Sequence, residues 1–267
     1  MPFSRFTWRL VPVAAASFAF LGIAHASAPS APPGGNVATA TMSAPGAEIY
    51  EPGAGRFTPA GRITTLGHSH TAGSLAAARA GHIAIVLSTG KVLIAGGVGP
   101  GWSFLSSAEL SDPATSRFSP TGLMTIARES RAAVRLQDGR VLIVGGHRGR
   151  RENIMLYTWA ETYDVGTGTF RRVGYVRVGR HRHDAVLLRD GTLLTTGGTD
   201  ERDSDGVCNS AEMFNPATGT FADGPLLKRP RYKHNGSALM LPNGRVLFAG
   251  GSGNGRGPQA AAWIYRP

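Results

Sequence analysis

An all-β fold built from one repeated unit of four short strands is what this sequence predicts, on three observations. Gly accounts for 37 of 267 residues, roughly twice the usual share of about 7%, and it is dispersed with no Gly-X-Y period. Gly-Gly pairs recur at Gly96-Gly97, Gly145-Gly146, Gly197-Gly198 and Gly250-Gly251, spaced 49, 52 and 53 residues apart. A tight-turn pair stands before each: Thr89-Gly90, Asp138-Gly139, Asp190-Gly191 and Asn243-Gly244. Asp-Gly and Asn-Gly are strong hairpin signals, because both residues accept a positive φ. Hydrophobic residues make up 42% of the chain, too many for a disordered polymer.

The unit reads in order. A first strand occupies His82–Ser88, Arg131–Gln137, His183–Arg189 and Gly236–Pro242. After the turn, a second, apolar strand runs into Gly-Gly: Lys91–Ala95, Arg140–Val144, Thr192–Thr196 and Arg245–Ala249. A third strand opens with Ala-Glu at Ala47-Glu48, Ala108-Glu109, Ala160-Glu161 and Ala211-Glu212, with Ala262-Trp263 in the fifth such place. An aromatic follows at Tyr50, Tyr163, Phe214 and Tyr265, and Ser111 is the exception. The fourth strand closes on Phe57, Phe118, Phe170 and Phe221. Two strands at the start, three complete units and three strands at the end give 17 strands, between the 16 of four units and the 20 of five.

A four-stranded unit of about 50 residues with a Gly-Gly pair and a closing bulky aromatic resembles the kelch repeat of β-propellers. Phe stands here where kelch usually has Trp. The resemblance covers Ala47–Pro267, and within it the chain looks closest to bacterial secreted kelch-repeat proteins and to the central propeller of galactose-oxidase-like proteins. It implies four-stranded blades packed radially, here about four of them or an incomplete, open propeller. The family has five to seven blades, so a truncated product without independent function is a further reading.

The N-terminus has Arg5 and Arg9, an apolar run over Leu10–Ile23 and the small-x-small site Ala24-His25-Ala26. This is the pattern of a signal peptide cut after Ala26, and it predicts a secreted or periplasmic protein. A 14-residue apolar run is about 21 Å of helix, short of a roughly 30 Å hydrocarbon core. No later segment is apolar enough to span a membrane. Residues 27–45, rich in Ala, Pro, Ser and Gly, read as a flexible leader, and 46–267 as the repeat domain. Removing 1–26 takes away two Arg and no acid, so the charge falls from +11 to +9. An anionic glycan, another small anion or a protein is the partner such a charge suits, and export argues against nucleic acid. Cys208 is the only Cys, so no intrachain disulfide forms.

Repeat phase separates scaffold from site. Gly96, Gly97, Gly145, Gly146, Gly197, Gly198, Gly250 and Gly251 are in phase and structural. Arg79, Arg128 and Arg180 each lie 11 residues before the hairpin Gly, with Lys233 in the fourth place. Glu48, Glu109, Glu161 and Glu212 recur equally. Since a buried charge must be paired, these are expected to form cation–carboxylate pairs; left unpaired, the cations would form an anion site. Ligand-binding candidates lie out of phase. On the loops between second and third strands they are Trp102, His147, Arg148, Arg150, Arg151, Tyr157 and Trp159. On the connections between units they are Arg177, His181, Arg231 and Tyr232. Aromatic rings stack on sugars and guanidinium forks bind oxyanions.

No catalytic residue, metal or cofactor is assigned. His68-x-His70 and His181-x-His183 offer two imidazoles each, where catalytic zinc takes three ligands. Asp200-x-x-Asp203-x-Asp205 lacks the Gly and terminal Glu of an EF-hand loop. The family resemblance leaves two enzyme alternatives, a sugar-acid mutarotase and a galactose-oxidase-like copper enzyme. Against the second, Tyr232-Lys233-His234 departs from the adjacent Tyr-His pair of those oxidases, and Cys208 has no evident partner Tyr.

Overall fold

A computed structural model describes residues 47–51, 56–61, 75–115, 117–150, 153–200, 202, 206–233, 238–254 and 257–267, with backbone alone for 47–61. The signal-peptide and leader segments, 1–26 and 27–45, lie outside the described residues. The chain divides into two compact units, Met1–Leu66 and Gly67–Pro267. In the first, β1 (Ala47–Glu51) and β2 (Arg56–Gly61) form an antiparallel hairpin that sets Tyr50 opposite Phe57.

The second unit is a series of antiparallel sheets. Sheet one is β3 (Ile83–Val86), β4 (Val92–Ala95), β5 (Ala108–Asp112) and β6 (Arg117–Pro120), paired in that order. Sheet two begins with β7 (Ala132–Arg135) and β8 (Val141–Val144). A short extra hairpin, β9 (His147–Arg148) with β10 (Met155–Leu156), follows; then β11 (Trp159–Asp164) and β12 (Thr169–Tyr175) complete the sheet. Sheet three is β13 (Asp184–Leu187), β14 (Leu193–Thr196), β15 (Ala211–Asn215) and β16 (Thr220–Asp223). Sheet four has only β17 (Ala238–Met240), β18 (Val246–Ala249) and β19 (Ala262–Tyr265). Among the described residues there is no α-helix, and the one helical piece is a 3-10 turn at Pro100–Trp102. No described helix is long and apolar enough to cross a membrane.

The sheets pack face on face, which explains why second strands are apolar throughout. Every residue of β8 (Val141, Leu142, Ile143, Val144) is buried, because both faces of the strand are covered. Alternate residues of one strand therefore belong to different cores. Val141 and Ile143 join Leu93, Ala95 and Met124 against sheet one, while Leu142 and Val144 join Leu193 and Phe214 against sheet three. Val186, Leu188, Leu194, Val246 and Phe248 fill the next interval. The recurring aromatics are cross-strand pairs: Tyr163 lies 4.7 Å from Phe170 and Phe214 4.8 Å from Phe221. Such pairs add about 0.2–1 kcal/mol each beyond an Ala–Ala pair.

First strands stand next to one another in succession, β3 to β7 to β13 to β17, and Gly-Gly is the joint between them. Gly97, Gly146 and Gly198 donate their backbone N–H to the carbonyls of Arg128, Arg180 and Arg231 in the following repeat, at 3.0, 2.9 and 2.8 Å. At Gly146 φ is +89°, and a Cβ there would sit 2.6 Å from the Glu129 carbonyl oxygen. At Gly145 a Cβ would meet the Arg180 carbonyl and the His183 ring, both at 2.7 Å. Gly146→Ala is therefore expected to cost more than about 2 kcal/mol, from left-handed strain and displacement of the neighbouring strand. Urea unfolding against Gly219→Ala, whose Cβ would enter open space at a φ of +70°, separates the steric part from the conformational part.

Candidate ligand-binding face

Beneath the loops lies a row of buried ion pairs. Arg79 Nη2 is 2.7 Å from Glu109 Oε1, and Arg180 Nη2 is 2.7 Å from Glu212 Oε1. Arg128 pairs with Glu161 in the same way, both side chains fully buried. Each Arg also donates Nη1 to the first Gly carbonyl of its own Gly-Gly pair (Gly96, Gly145, Gly197) and to the residue that precedes Ala-Glu or starts β11 (Ser107, Trp159, Ser210). The other carboxylate oxygen of Glu109, Glu161 and Glu212 accepts from the backbone N–H of Ala76, Thr125 and Arg177. One pair thus ties second strand, third strand and connection together. Glu48 lies on β1, whose side chains are outside the described residues.

In sheet four the phase differs from the sequence reading. Arg231, not Lys233, takes the cation's place: it is buried, donates Nη1 to the Gly250 carbonyl at 2.5 Å, and its own carbonyl accepts from Gly198. Lys233 instead shares the positive φ of Gly81, Ser130 and Arg182, two residues further on. The distance to the hairpin Gly is two residues longer here, and that displaced the count. Trp263 occupies the Glu position, and the Arg231 guanidinium lies over its ring at 3.6 Å. Burial lowers the Arg231 pKa. Arg231 is scaffold, packed beneath the surface rather than presented by a loop.

The other candidates separate by depth. Tyr157, His147, His181 and Tyr232 are buried. Three of them lie on short bridges, Glu129↔His147, His181↔Thr199 and Tyr232↔Ser252, and the Tyr157 backbone N–H donates to the Gly146 carbonyl at 3.0 Å. His147 sits between two partners, its Nε2 3.3 Å from Glu129 Oε1 and its Nδ1 3.2 Å from His181 Nδ1. Burial, then the nearby His147 and Arg182, push the His181 pKa down to about 3. Tyr157 stacks on Trp159 at 5.7 Å between centroids, and burial raises its phenol pKa.

Trp102, Arg148, Arg150 and Arg177 reach the surface, and Trp159 is half-buried. Trp102 is the last residue of the 3-10 turn, with φ +62° and 53% exposure. A bulky residue in the left-handed region is a strained position, of a kind found at functional sites. The Arg150 guanidinium carbon stands 3.2 Å above its ring centroid, so the loops of sheets one and two meet through this pair. Arg172 covers Trp159 at 4.3 Å, and the exposed Tyr175 meets Trp159 edge-on at 6.4 Å. Arg177 pairs with Asp223 at 2.8 Å in solvent. Arg151 lies outside the described residues.

Sequence reasoning missed Glu129 and Arg131. Arg131 holds the place of His82 and His183, three residues past the paired Arg. It is buried and donates to the carbonyls of Arg128 and Ala95. Desolvation, with Arg128 beside it, lowers its pKa to about 9. Aligning repeats on the paired Arg would have exposed this position. No cluster of three or more His, Cys, Asp or Glu able to hold a metal occurs among the described residues. Asp200 is held by Arg202 at 2.5 Å; Asp203, Asp205, His68, His70 and His234 are outside the described residues. No family model matches the chain, and no curated protein matches it.

Proposed function

We propose that this chain is a secreted or periplasmic kelch-repeat protein whose four-stranded sheets are the blades of a small or open β-propeller. Its role in this reading is to bind an anionic or carbohydrate ligand, or a protein, through the loop face. The observation that carries the reading is the Trp102–Arg150 pair. A guanidinium seated over an indole ring is partly held in place by the ring and keeps N–H donors with which to meet a carboxylate, sulfate or phosphate. Arg148 on the same hairpin and a net charge of +9 once residues 1–26 are removed (+11 less Arg5 and Arg9) add long-range attraction for an anion.

A glycan array probed at low and high salt tests this. Acidic glycans should be retained and should weaken as salt rises, since exposed charges are screened within about 10 Å at 0.1 M. Trp102→Ala and Arg150→Ala should each lower that affinity by about tenfold while leaving the melting temperature unchanged, because neither side chain belongs to a core. Absence of binding to every acidic glycan, together with oxidase activity dependent on added copper, would overturn the reading in favour of an enzyme.

A further inference from the structure

We infer that the side of sheet two that faces sheet one carries two anion subsites, and that together they take a linear acidic polysaccharide laid along the surface. The inference rests on the loop-face reading above and names the class of ligand for that face. The first subsite is the Trp102–Arg150 pair. The second repeats its chemistry on other elements: the guanidinium carbon of Arg172, on β12, lies 4.3 Å from the ring centroid of Trp159, the first residue of β11. Both stacks lie towards sheet one. Trp102 belongs to the loop between β4 and β5 and meets Arg150 of sheet two. Arg172 directs its Nε at the Thr125 hydroxyl, 3.5 Å away in the connection between the two sheets.

The second subsite is held from beneath. Thr125 donates its backbone N–H to Glu161 Oε2 at 2.8 Å, so the buried Arg128–Glu161 pair fixes the connection against which Arg172 rests. Tyr157 stacks on Trp159 with the ring planes 29° apart, which holds the indole in place. A preformed site of this kind binds with little further ordering of its side chains. Arg150 and Arg172 are themselves exposed, so their N–H groups are within a ligand's reach.

Open rings argue for a chain along the surface rather than an enclosed small molecule. Trp102 is 53% exposed, and Tyr175, edge-on to Trp159, is 66% exposed. An exposed aromatic ring offers its face to the C–H face of a sugar, and a guanidinium beside it meets a carboxylate or sulfate. Two such units on one side of one sheet match a ligand that repeats both a sugar ring and a negative charge. Once the first subsite is filled, the next charge of the same chain reaches the second at high effective concentration.

Calorimetric titration of the full-length protein with polygalacturonate and heparin fragments of increasing length, at fixed low salt, tests this. For at least one series, a fragment about ten sugars long should bind at least about tenfold more tightly than the shortest member. Arg172→Ala should reduce that gain to within about threefold, with the melting temperature unchanged, and Tyr175→Ala should reduce it in part. Arg172→Lys keeps the charge without the fork and should recover only some of it. Arg117→Ala removes an equally exposed cation from β6 and should leave the gain intact, which separates a site from diffuse attraction. A gain with length that survives Arg172→Ala, or that Arg117→Ala removes equally, would overturn the proposal. So would tighter binding of polyglutamate than of either polysaccharide, which would give the face to an acidic protein. If short and long fragments bind equally and Trp102→Ala abolishes both, the loop-face reading stands and the extended site falls. If no fragment of either series binds, both fall.

Discussion

Arg128→Ala should unfold this protein more readily than any surface change, with a loss of about 3–5 kcal/mol. The Glu161 carboxylate would remain at 0% exposure with its strongest partner gone. It keeps only the Thr125 N–H at 2.8 Å, and the Gly145 and Trp159 carbonyls lose a donor. The size comes from the stranded charge rather than from the pair's net worth, since desolvating two ions offsets most of their attraction. A paired replacement tests that distinction. Arg128→Met with Glu161→Leu removes both charges, retains volume and should recover much of the loss. Arg180→Ala should behave like Arg128→Ala, because Glu212 is equally enclosed. If Arg128→Ala leaves the urea midpoint unchanged while ligand binding disappears, the row of cations is a site and not a scaffold.

These pairs also mark how far the sequence could be read. Strand order was legible because turn chemistry and apolar runs are local: each Asp-Gly or Asn-Gly turn and each Ala-Glu start falls at the edge of an observed strand. The pairing of Arg with Glu followed from phase alone in three units. It failed in the fourth, where the hairpin Gly was a poor ruler. The fixed element is the bond from the second Gly of one repeat to the Arg carbonyl of the next, as between Gly198 and Arg231, and a nonlocal bond leaves no trace in a spacing count. Depth was legible least. His147 and Arg148 are neighbours that the sequence placed in one loop, yet one is buried and the other exposed. They form the short strand β9, whose consecutive side chains point to opposite faces. The Trp102–Arg150 contact joins two loops 48 residues apart, and only the packing of sheet one on sheet two brings them together.

Acid should weaken the fold through His181 before carboxylates take over. Its pKa falls from 6.5 to about 3 because the ring is buried beside His147 and Arg182. The sign follows from proton counts. Between pH 6.5 and about 3 the unfolded chain binds a proton at this residue and the folded chain does not, so stability rises with pH in that window. The contribution is complete above pH 6.5 and is lost as pH falls through the window. The loss is about 3 kcal/mol by pH 4.5 and at most about 5 by pH 3, at 1.36 kcal/mol per pH unit. Asp200 beside the ring acts in the opposite direction, through its backbone and its charge, as the smallest of the influences on it. Urea midpoints of the wild type and His181→Gln, taken at half-unit steps from pH 7.5 to 4.5, isolate the effect from the buried glutamates that both proteins share. The variant should be less stable at pH 7.5 and should show a flatter pH profile, the two curves converging towards pH 4.5. Parallel curves across the range would mean that His181 takes up its proton in the folded state as readily as in the unfolded one.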